Sequence, residues 1–290
     1  MNKLLHGFLF LLAVIPLCVN AQSFYSVRRD RTLLLTVGTG TSTYFGELKT
    51  PNITLVPDPS INLNIGLQYF VTNRIAVRTE LDWFQLRGSD KGTVNQARNL
   101  SFVSSNYELN VTGMVNLFPN GHRFYQRSNI NFYGFAGIGL MYMNPKADYM
   151  GKRYALQPLQ TEGVKYSRFQ PVIPYGLGAK IKVSPFFNIS IEGGWRLTFT
   201  DYLDDVSTVH QDKSTWTDPI RIALSDRRHE GNPDLPSYQP GAKRGNPSKN
   251  DSYFLLNMKI EYYLPHNFLF KNDSRKLYRQ KRKSVYRRRR

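Results

Sequence analysis

The sequence has almost no cysteine and, beyond its first residues, no long apolar run. Cys18 is the single cysteine among 290 residues, and it lies in an N-terminal segment that we expect to be removed on export. An exported chain without a thiol has neither disulfides nor thiol catalysis available to it. No later segment reaches the roughly 18 consecutive apolar residues that a membrane-spanning helix needs. With a mean hydropathy of -0.43, this excludes a bundle of transmembrane helices.

Acidic residues are also scarce, with 21 Asp and Glu against 39 Lys and Arg and a formal net charge of +18. In a cytosolic protein this excess would suggest nucleic-acid binding. The N-terminus argues against that compartment, because Lys3 is followed by an apolar run that ends at Val19-Asn20-Ala21, with short residues where a signal peptidase cuts. We therefore predict a signal peptide over residues 1–21 and no nucleic-acid partner. Lipoprotein processing at Cys18 is disfavoured by the bulky Leu17 that precedes it.

Alternation of apolar and polar residues is the main pattern that the sequence does contain. From Arg31 onward, eight segments of about ten residues alternate in this way, which is the length that a tilted β-strand needs to cross a bilayer. One face of every segment carries no charge. A soluble β-sandwich also alternates, but it does not require a bilayer-spanning length in every strand. The segments are residues 33–39, 61–71, 75–83, 107–117, 130–142, 173–183, 189–199 and 254–264.

The connections between these segments alternate in length. Short ones at residues 72–74, 119–129 and 184–187 alternate with long ones at residues 45–60, 88–103, 144–170 and 200–251. Short periplasmic turns and long outer loops are typical of outer-membrane barrels. The prediction is an all-β fold over residues 22–264: an eight-stranded antiparallel transmembrane β-barrel in the outer membrane of a Gram-negative bacterium, surrounded by lipid, with both termini in the periplasm.

The polar positions of the segments carry five basic and five acidic residues. An eight-stranded barrel is just wide enough for side chains to fill its interior, and buried charges need partners. In a ring of eight strands the third faces the seventh and the fourth faces the eighth, so we predict ion pairs across the lumen and no open pore. The ten residues are Arg78, Glu80, Asp82, Glu108, Lys180, Lys182, Glu192, Arg196, Lys259 and Glu261.

A basic tail follows the last segment, over residues 265–290. It holds 11 Lys and Arg between residues 271 and 290 with Asp273 as the one acid. A solvated tail, or one that rests on anionic lipid, is the plainer interpretation. The sharper one is a docking arm for an acidic periplasmic protein, to which tyrosines would add contact area. The residues expected to contact such a partner are Arg123, Arg127, Arg275, Lys276, Tyr278, Arg279, Lys281, Arg282, Lys283, Tyr286 and Arg287.

Enzyme and metal functions have weak support in the sequence. His210 and His229 share one long loop with several aspartates, so an outer-membrane hydrolase centred on them is an alternative. A solvated polar loop is the better interpretation. The acidic cluster lacks the spacing of a calcium-binding EF-hand loop, and no glycine-rich phosphate loop is present. We expect no catalytic residues, no metal, no cofactor and no small-molecule substrate.

Three stretches flank the outer loops: residues 40–48 (GTSTYFGEL), residues 200–207 (TDYLDDVS), and residues 244–247 (RGNP) with 250–253 (NDSY). These stretches resemble the PorG family of outer-membrane barrels of the type IX secretion system. The resemblance covers essentially the whole exported chain. We expect the shared residues Asp201, Asp204 and Asp205 to accept hydrogen bonds from turn amides and to pair with Arg244, closing the loops.

The resemblance implies a non-enzymatic accessory barrel. It implies association with a periplasmic ring built from a lipoprotein and its partner protein, and a need for it in cargo secretion and, in gliding relatives, in motility. Our first hypothesis is therefore a docking barrel that holds this ring at the outer membrane. The alternative is a stand-alone small barrel that acts as an adhesin through its outer loops.

Overall fold

The computed structural model describes residues 31–48, 60–121 and 125–265, and in them the chain forms a closed antiparallel barrel. Each barrel strand pairs with its neighbours along the chain, and β1 pairs with β10 from Leu34 opposite Tyr263 to Phe45 opposite Ser252, which closes the ring. The barrel strands are β1 (Leu33–Phe45), β2 (Ser60–Phe70), β3 (Ile75–Ser89), β4 (Ser101–Asn116), β5 (Ile130–Tyr142), β8 (Phe169–Lys182), β9 (Phe187–Thr198) and β10 (Ser252–Tyr263).

The remaining elements lie in the long connections. They are the hairpin β6 (Pro145–Tyr149) and β7 (Lys152–Ala155), the helices α1 (Leu156–Leu159), α2 (Pro219–Ser225) and α3 (Arg228–Gly231), and a short 3-10 helix (Gln96–Arg98). Within the described residues, no helix has the length and apolarity to cross a membrane.

The outer face of the barrel is apolar and exposed, as the alternation predicts. Ile138 and Leu177 have 73% and 74% of their surface exposed. On β4 and the residue that follows it, the exposed apolar positions extend from Tyr107 to Leu117, ten steps of about 3.3 Å, and a strand tilt of about 40° turns this into a belt roughly 25 Å high. A belt of this height matches the hydrocarbon core that such barrels cross. The prediction is wrong for Leu264, the last residue of the eighth alternating segment. It was expected to face outward, but it lies beyond β10 and is buried.

The two ends of the barrel differ. The short turns at residues 71–74 and 183–186 lie at one end, together with the described residues of the connection over 117–129, the start of β1 and the end of β10. We refer to this as the turn end and to the opposite one as the loop end. At the loop end, β3 and β4 stay paired up to Ser89 opposite Ser101, so the predicted loop over residues 88–103 is shorter than expected.

Three layers of side chains fill the described interior. An apolar cluster that includes Leu34, Met114 and Phe135 closes the turn end. A larger apolar cluster that includes Phe84 and Phe102 fills the loop end and joins the barrel to its loops. Charged and amide side chains occupy the layer between them.

Candidate functional site

Glu192 lies near the middle of the lumen and is bound by side chains from three other strands. Arg78 contacts it through two nitrogens, one of them 3.0 Å from Oε2, and Lys259 Nζ lies 2.6 Å from the same oxygen. The Tyr133 hydroxyl donates to Oε1 at 2.6 Å. Glu80 binds the same two cations, at 2.9 Å from Arg78 Nε and 2.5 Å from Lys259 Nζ. Two acids and two bases therefore neutralise one another across the lumen.

A second group of polar side chains lies nearer the loop end. Glu108 accepts a hydrogen bond from the Tyr253 hydroxyl at 2.6 Å and lies 3.7 Å from Arg196 Nε. The Asn110 amide donates to Asp82 at 2.8 Å and to Glu108 at 3.0 Å. Among the described residues Asp82 has no ion-pair partner, so this amide is its main contact.

The third pair lies nearer the turn end. Lys180 Nζ is 3.4 Å from Glu261 Oε2 and 4.6 Å from the centre of the Tyr133 ring. Lys182, which the sequence also assigns to the lumen, instead lies half-buried at the rim and donates to the backbone carbonyl of Tyr125 at 2.8 Å. The lumen layer therefore contains one acid more than it contains bases, since nine of the ten predicted residues line it.

The floor of the barrel at the turn end is built around Arg127. Its guanidinium donates to Asn188 Oδ1 at 2.8 Å and to the carbonyls of Ser184 at 2.9 Å and Pro185 at 3.1 Å. It also lies over the Tyr263 ring and is buried. Arg127 was expected to contact a partner, but these contacts assign it to the floor of the barrel and not to an exposed docking surface.

The other residues expected to contact a partner lie outside the described residues. They are Arg123, Arg275, Lys276, Tyr278, Arg279, Lys281, Arg282, Lys283, Tyr286 and Arg287. The predicted signal peptide over residues 1–21 also lies outside them.

At the loop end, residues 199–251 fold over the barrel mouth and are held by Arg244. Its Nη1 atom donates to Glu162 Oε1 at 2.8 Å and to the backbone carbonyl of Asp205 at 2.7 Å. Arg244 was expected to pair with the carboxylates of the loop aspartates, but it pairs with Glu162 instead. The sequence pattern did not single out Glu162. Glu162 also accepts from the amides of Ser207 at 3.0 Å and Thr208 at 2.8 Å. Burial by itself would raise the pKa of Glu162, but Arg244 and these donors hold it below its ordinary value.

Asp204 accepts a hydrogen bond from a turn amide, as expected, whereas the bonds to Asp205 come from side-chain hydroxyls of another loop. Asp204 Oδ1 accepts from the amide of Val206 at 2.9 Å. Asp205 accepts from the hydroxyls of Thr161 at 2.5 Å and Tyr166 at 2.7 Å. Its φ of 68° is one that aspartate tolerates better than most residues. Burial raises the pKa of Asp205 to about 6 against the opposing effect of Arg244.

Asp201 differs from these two aspartates. It is buried, and neither of its carboxylate oxygens has a hydrogen-bond partner in the part of the chain that the structure describes. The Ser207 side chain lies near enough to lower the pKa of Asp201 somewhat, but burial outweighs it and raises the pKa to about 7. One oxygen each from Asp201, Glu47 and Asp251 lie within 4.8 Å of one another. Glu47 and Asp251 fall within two of the stretches that resemble the PorG family, which is the signal that marks them in the sequence.

The two loop histidines occupy different environments. His210 is buried and stacks on the Tyr238 ring with 4.3 Å between ring centres, and burial lowers its pKa to about 4. His229 is exposed, and its Nε2 lies 2.9 Å from the hydroxyl of Ser237. Among the described residues, no acidic side chain is a hydrogen-bond partner of His229. The Ser237–His229 contact therefore lacks the acid that orients the histidine in a hydrolytic triad.

The closed ring of eight strands, the apolar outer belt and the charged interior together define a transmembrane β-barrel of the outer-membrane type. No protein-family model and no curated protein matches the sequence.

Solved structures with similarity to the chain are small outer-membrane barrels. The N-terminal barrel domain of OprF from Pseudomonas aeruginosa is 8% identical with a TM-score of 0.37, covering 81% of this chain and 98% of its own. Neisserial surface protein A is 8% identical with a TM-score of 0.41, covering 80% and 97%. The attachment invasion locus protein Ail of Yersinia pestis is 10% identical with a TM-score of 0.40, covering 81% and 99%. Similarity this low says nothing about function, and the fold assignment depends on the strand pairings themselves.

Proposed function

We propose that this protein is a non-enzymatic docking barrel of the type IX secretion machinery, which holds the periplasmic ring of a lipoprotein and its partner protein at the outer membrane. The observation that carries the proposal is the lumen, which ion pairs cross from β3 to β9 and β10. A barrel filled in this way offers surfaces to other proteins instead of a passage for cargo. The segments that resemble the PorG family support the same assignment.

The orientation that we propose places the turn end in the periplasm. Short turns are typical of that side, and the chain leaves β10 there, at Tyr263 and Leu264, beside the start of β1. The basic tail that follows is then on the side where a periplasmic ring would be, and it carries most of the positive charge of the exported chain. Charge of one sign steers an oppositely charged partner and favours the correct encounter.

The test compares four-charge changes at the two ends of the protein. One variant changes Arg279, Lys281, Arg282 and Lys283 of the tail to glutamine. The control changes four basic residues of the loop end, Lys91, Lys152, Arg153 and Lys165, in the same way. Chemical crosslinking in intact envelopes, followed by purification of the barrel, measures ring association.

Docking through the tail predicts that ring crosslinks and cargo export both fall severalfold in the tail variant and stay at the wild-type level in the control. Deletion of residues 271–290 should have a still larger effect while the barrel continues to assemble. Unchanged crosslinks and export after the deletion would contradict the proposal.

An adhesin is the second candidate, and one observation favours it. The outer loops form a packed cap, in which Leu203, Val206 and Leu224 join the apolar cluster of the loop end. An ordered cap presents a fixed surface, as recognition requires. An adhesin would lose no function when residues 271–290 are deleted, so the same deletion distinguishes the two candidates.

A further inference from the structure

Three acidic side chains meet at the mouth of the barrel, where the loop over residues 199–251 leaves and re-enters it. Glu47 follows β1, Asp201 follows β9, and Asp251 precedes β10. One oxygen of each lies within 4.8 Å of the others, a separation that one shared cation can bridge when the side chains draw together. The three residues are more than 40 positions apart in every pairing, so only the folded mouth brings them together.

Asp201 points to a ligand independently of this clustering. Only 6% of Asp201 is exposed, yet neither of its carboxylate oxygens has a hydrogen-bond partner among the described residues. Glu47 adds a second unused oxygen: Oε1 accepts from the amide of Asn246 at 3.1 Å, whereas Oε2 is buried and has no partner within the same part of the chain. A buried carboxylate without donors is costly, and a bound cation removes that cost.

No basic residue in the described chain already neutralises the cluster. Burial raises the pKa of Glu47, and Arg98, an arginine that acts against this rise, is committed to Asp90 through contacts of 2.7 and 2.8 Å. The salt bridges of the described residues include none to Glu47, Asp201 or Asp251, whereas Glu162 in the same cap has its arginine.

The backbone at Gly46 allows the side chains around it to approach closely. A Cβ at Gly46 would lie 1.9 Å from Asp251 Oδ1 and 1.8 Å from the Tyr44 hydroxyl, so only glycine allows this approach. Glu47 also lines an open cavity of about 450 Å³, together with Asn246, Asn250 and Trp195. Water and ions therefore reach the cluster from outside the barrel on its Glu47 side.

We propose that Glu47, Asp201 and Asp251 form a calcium site that fastens both ends of the loop over residues 199–251 to the barrel mouth. All three donors are carboxylate oxygens without nitrogen or sulfur, which favours a hard cation. Calcium accepts six to eight oxygens in flexible geometry and can complete its shell with water, whereas magnesium needs a nearly ideal octahedron. A site that opens to the outside of the barrel through Glu47 belongs with extracellular modules that bind calcium at roughly 10⁻⁴–10⁻³ M. The site does not depend on the proposed secretion partner.

The test uses the full chain folded in detergent micelles and freed of metal by chelation. Terbium(III) is the probe, because it takes calcium sites and is excited by a nearby indole, here that of Trp195. We expect one saturable terbium site per chain, displaced by calcium at concentrations at which an equal amount of magnesium leaves it in place. Asp201→Asn should weaken binding at least tenfold. The matched control, Asp234→Asn, changes an exposed aspartate of the same loop and should bind as the wild type does.

Heat-modifiable mobility on gels shows whether each variant has folded. If Asp201→Asn does not fold, Glu47→Gln replaces it, since Glu47 is only half-buried and the change keeps its size. Absence of saturable terbium binding to the folded wild type, or equal affinity in the folded wild type and in the tested ligand variant, would overturn the proposal.

Discussion

At the scale of single residues, the lumen shows how buried charges are tolerated in this protein. Glu192 receives Arg78, Lys259 and the Tyr133 hydroxyl from three different strands. Alternation in the sequence predicts that these side chains point inward, because the side-chain period of a strand is fixed. It does not predict the pairings, because these depend on the stagger of strands that are distant in the sequence. Lys182, two positions after Lys180, shows the difference, since it lies past the lumen layer at the rim.

Replacement of Glu192 should destabilise the barrel strongly. Glu192→Gln leaves two buried cations to share Glu80, and breaking a buried pair in this way typically costs about 3–5 kcal/mol. The control is Asp82→Asn, which removes the one lumen acid without an ion-pair partner and should cost far less. Urea unfolding in lipid vesicles, followed by tryptophan fluorescence, gives the free energy of unfolding of each variant. Equal losses in the two variants would contradict the network.

His210 should make the stability of the loop cap depend on pH. The buried ring has a pKa of about 4 against 6.5 when free, so the unfolded chain binds its proton more tightly than the folded chain does. The contribution of a neutral His210 is therefore complete above pH 6.5 and is lost as the pH falls towards 4. The charged groups that act on the ring are Arg244, Asp226, Lys213 and Glu162.

His210→Phe keeps an aromatic ring against Tyr238 and removes the titration. Hydrogen exchange of residues 199–251, measured from pH 7 to pH 4.5, should show the wild-type cap opening more at the acid end relative to the variant. A constant difference between the two proteins across this range would rule out His210 as the cause.

At the scale of elements, the outer loops carry most of what the sequence did not predict. The eight strands follow from apolar alternation, but β4 begins at Ser101, well before the alternating segment that starts at Tyr107. Its first residues lie beyond the lipid belt, where an outward face need not be apolar. The loop over residues 199–251 has no periodic pattern, and its order comes from contacts distant in the sequence, such as Glu162 with Arg244. Such contacts leave no local signal.

Loss of the Glu162 carboxylate should open the cap without unfolding the barrel. Glu162→Gln removes the ion pair with Arg244 and weakens three further acceptor contacts at Ser207 and Thr208. Protease cleavage within residues 199–251 should then become at least tenfold faster, because charge-assisted hydrogen bonds to a buried group typically contribute about 1.5–3 kcal/mol each. Glu230→Gln is the control, since its partner Arg227 keeps hydrogen bonds to Ser101 and to the carbonyl of Asp148 when this pair is lost.

Mass spectrometry of the fragments locates the cleavage sites in both variants. Equal cleavage rates in the Glu162 and Glu230 variants would show that the pair with Arg244 does not hold the cap. Cleavage within the barrel strands would show instead that the change unfolds more than the loop.

At the scale of the whole molecule, side chains fill the interior of the membrane barrel, with apolar clusters towards both ends and a charged layer between them. The barrel as a whole is predictable because eight bilayer-spanning strands, alternating connections and inward charges of both signs all agree with one architecture. The stacking of the side-chain layers is not predictable, because alternation assigns Leu34 and Phe84 only to the inward, polar face of their strands. Their burial follows from closure of the ring, which excludes lipid and water alike.

Conductance in planar bilayers tests the filled lumen most directly. A filled lumen predicts that the purified full-length barrel, inserted and shown to be folded by its heat-modifiable mobility, produces no stable open channel. A large and long-lived open state in the wild-type protein would contradict a lumen closed by Glu192 and its partners. It would also contradict the proposed role as a docking barrel.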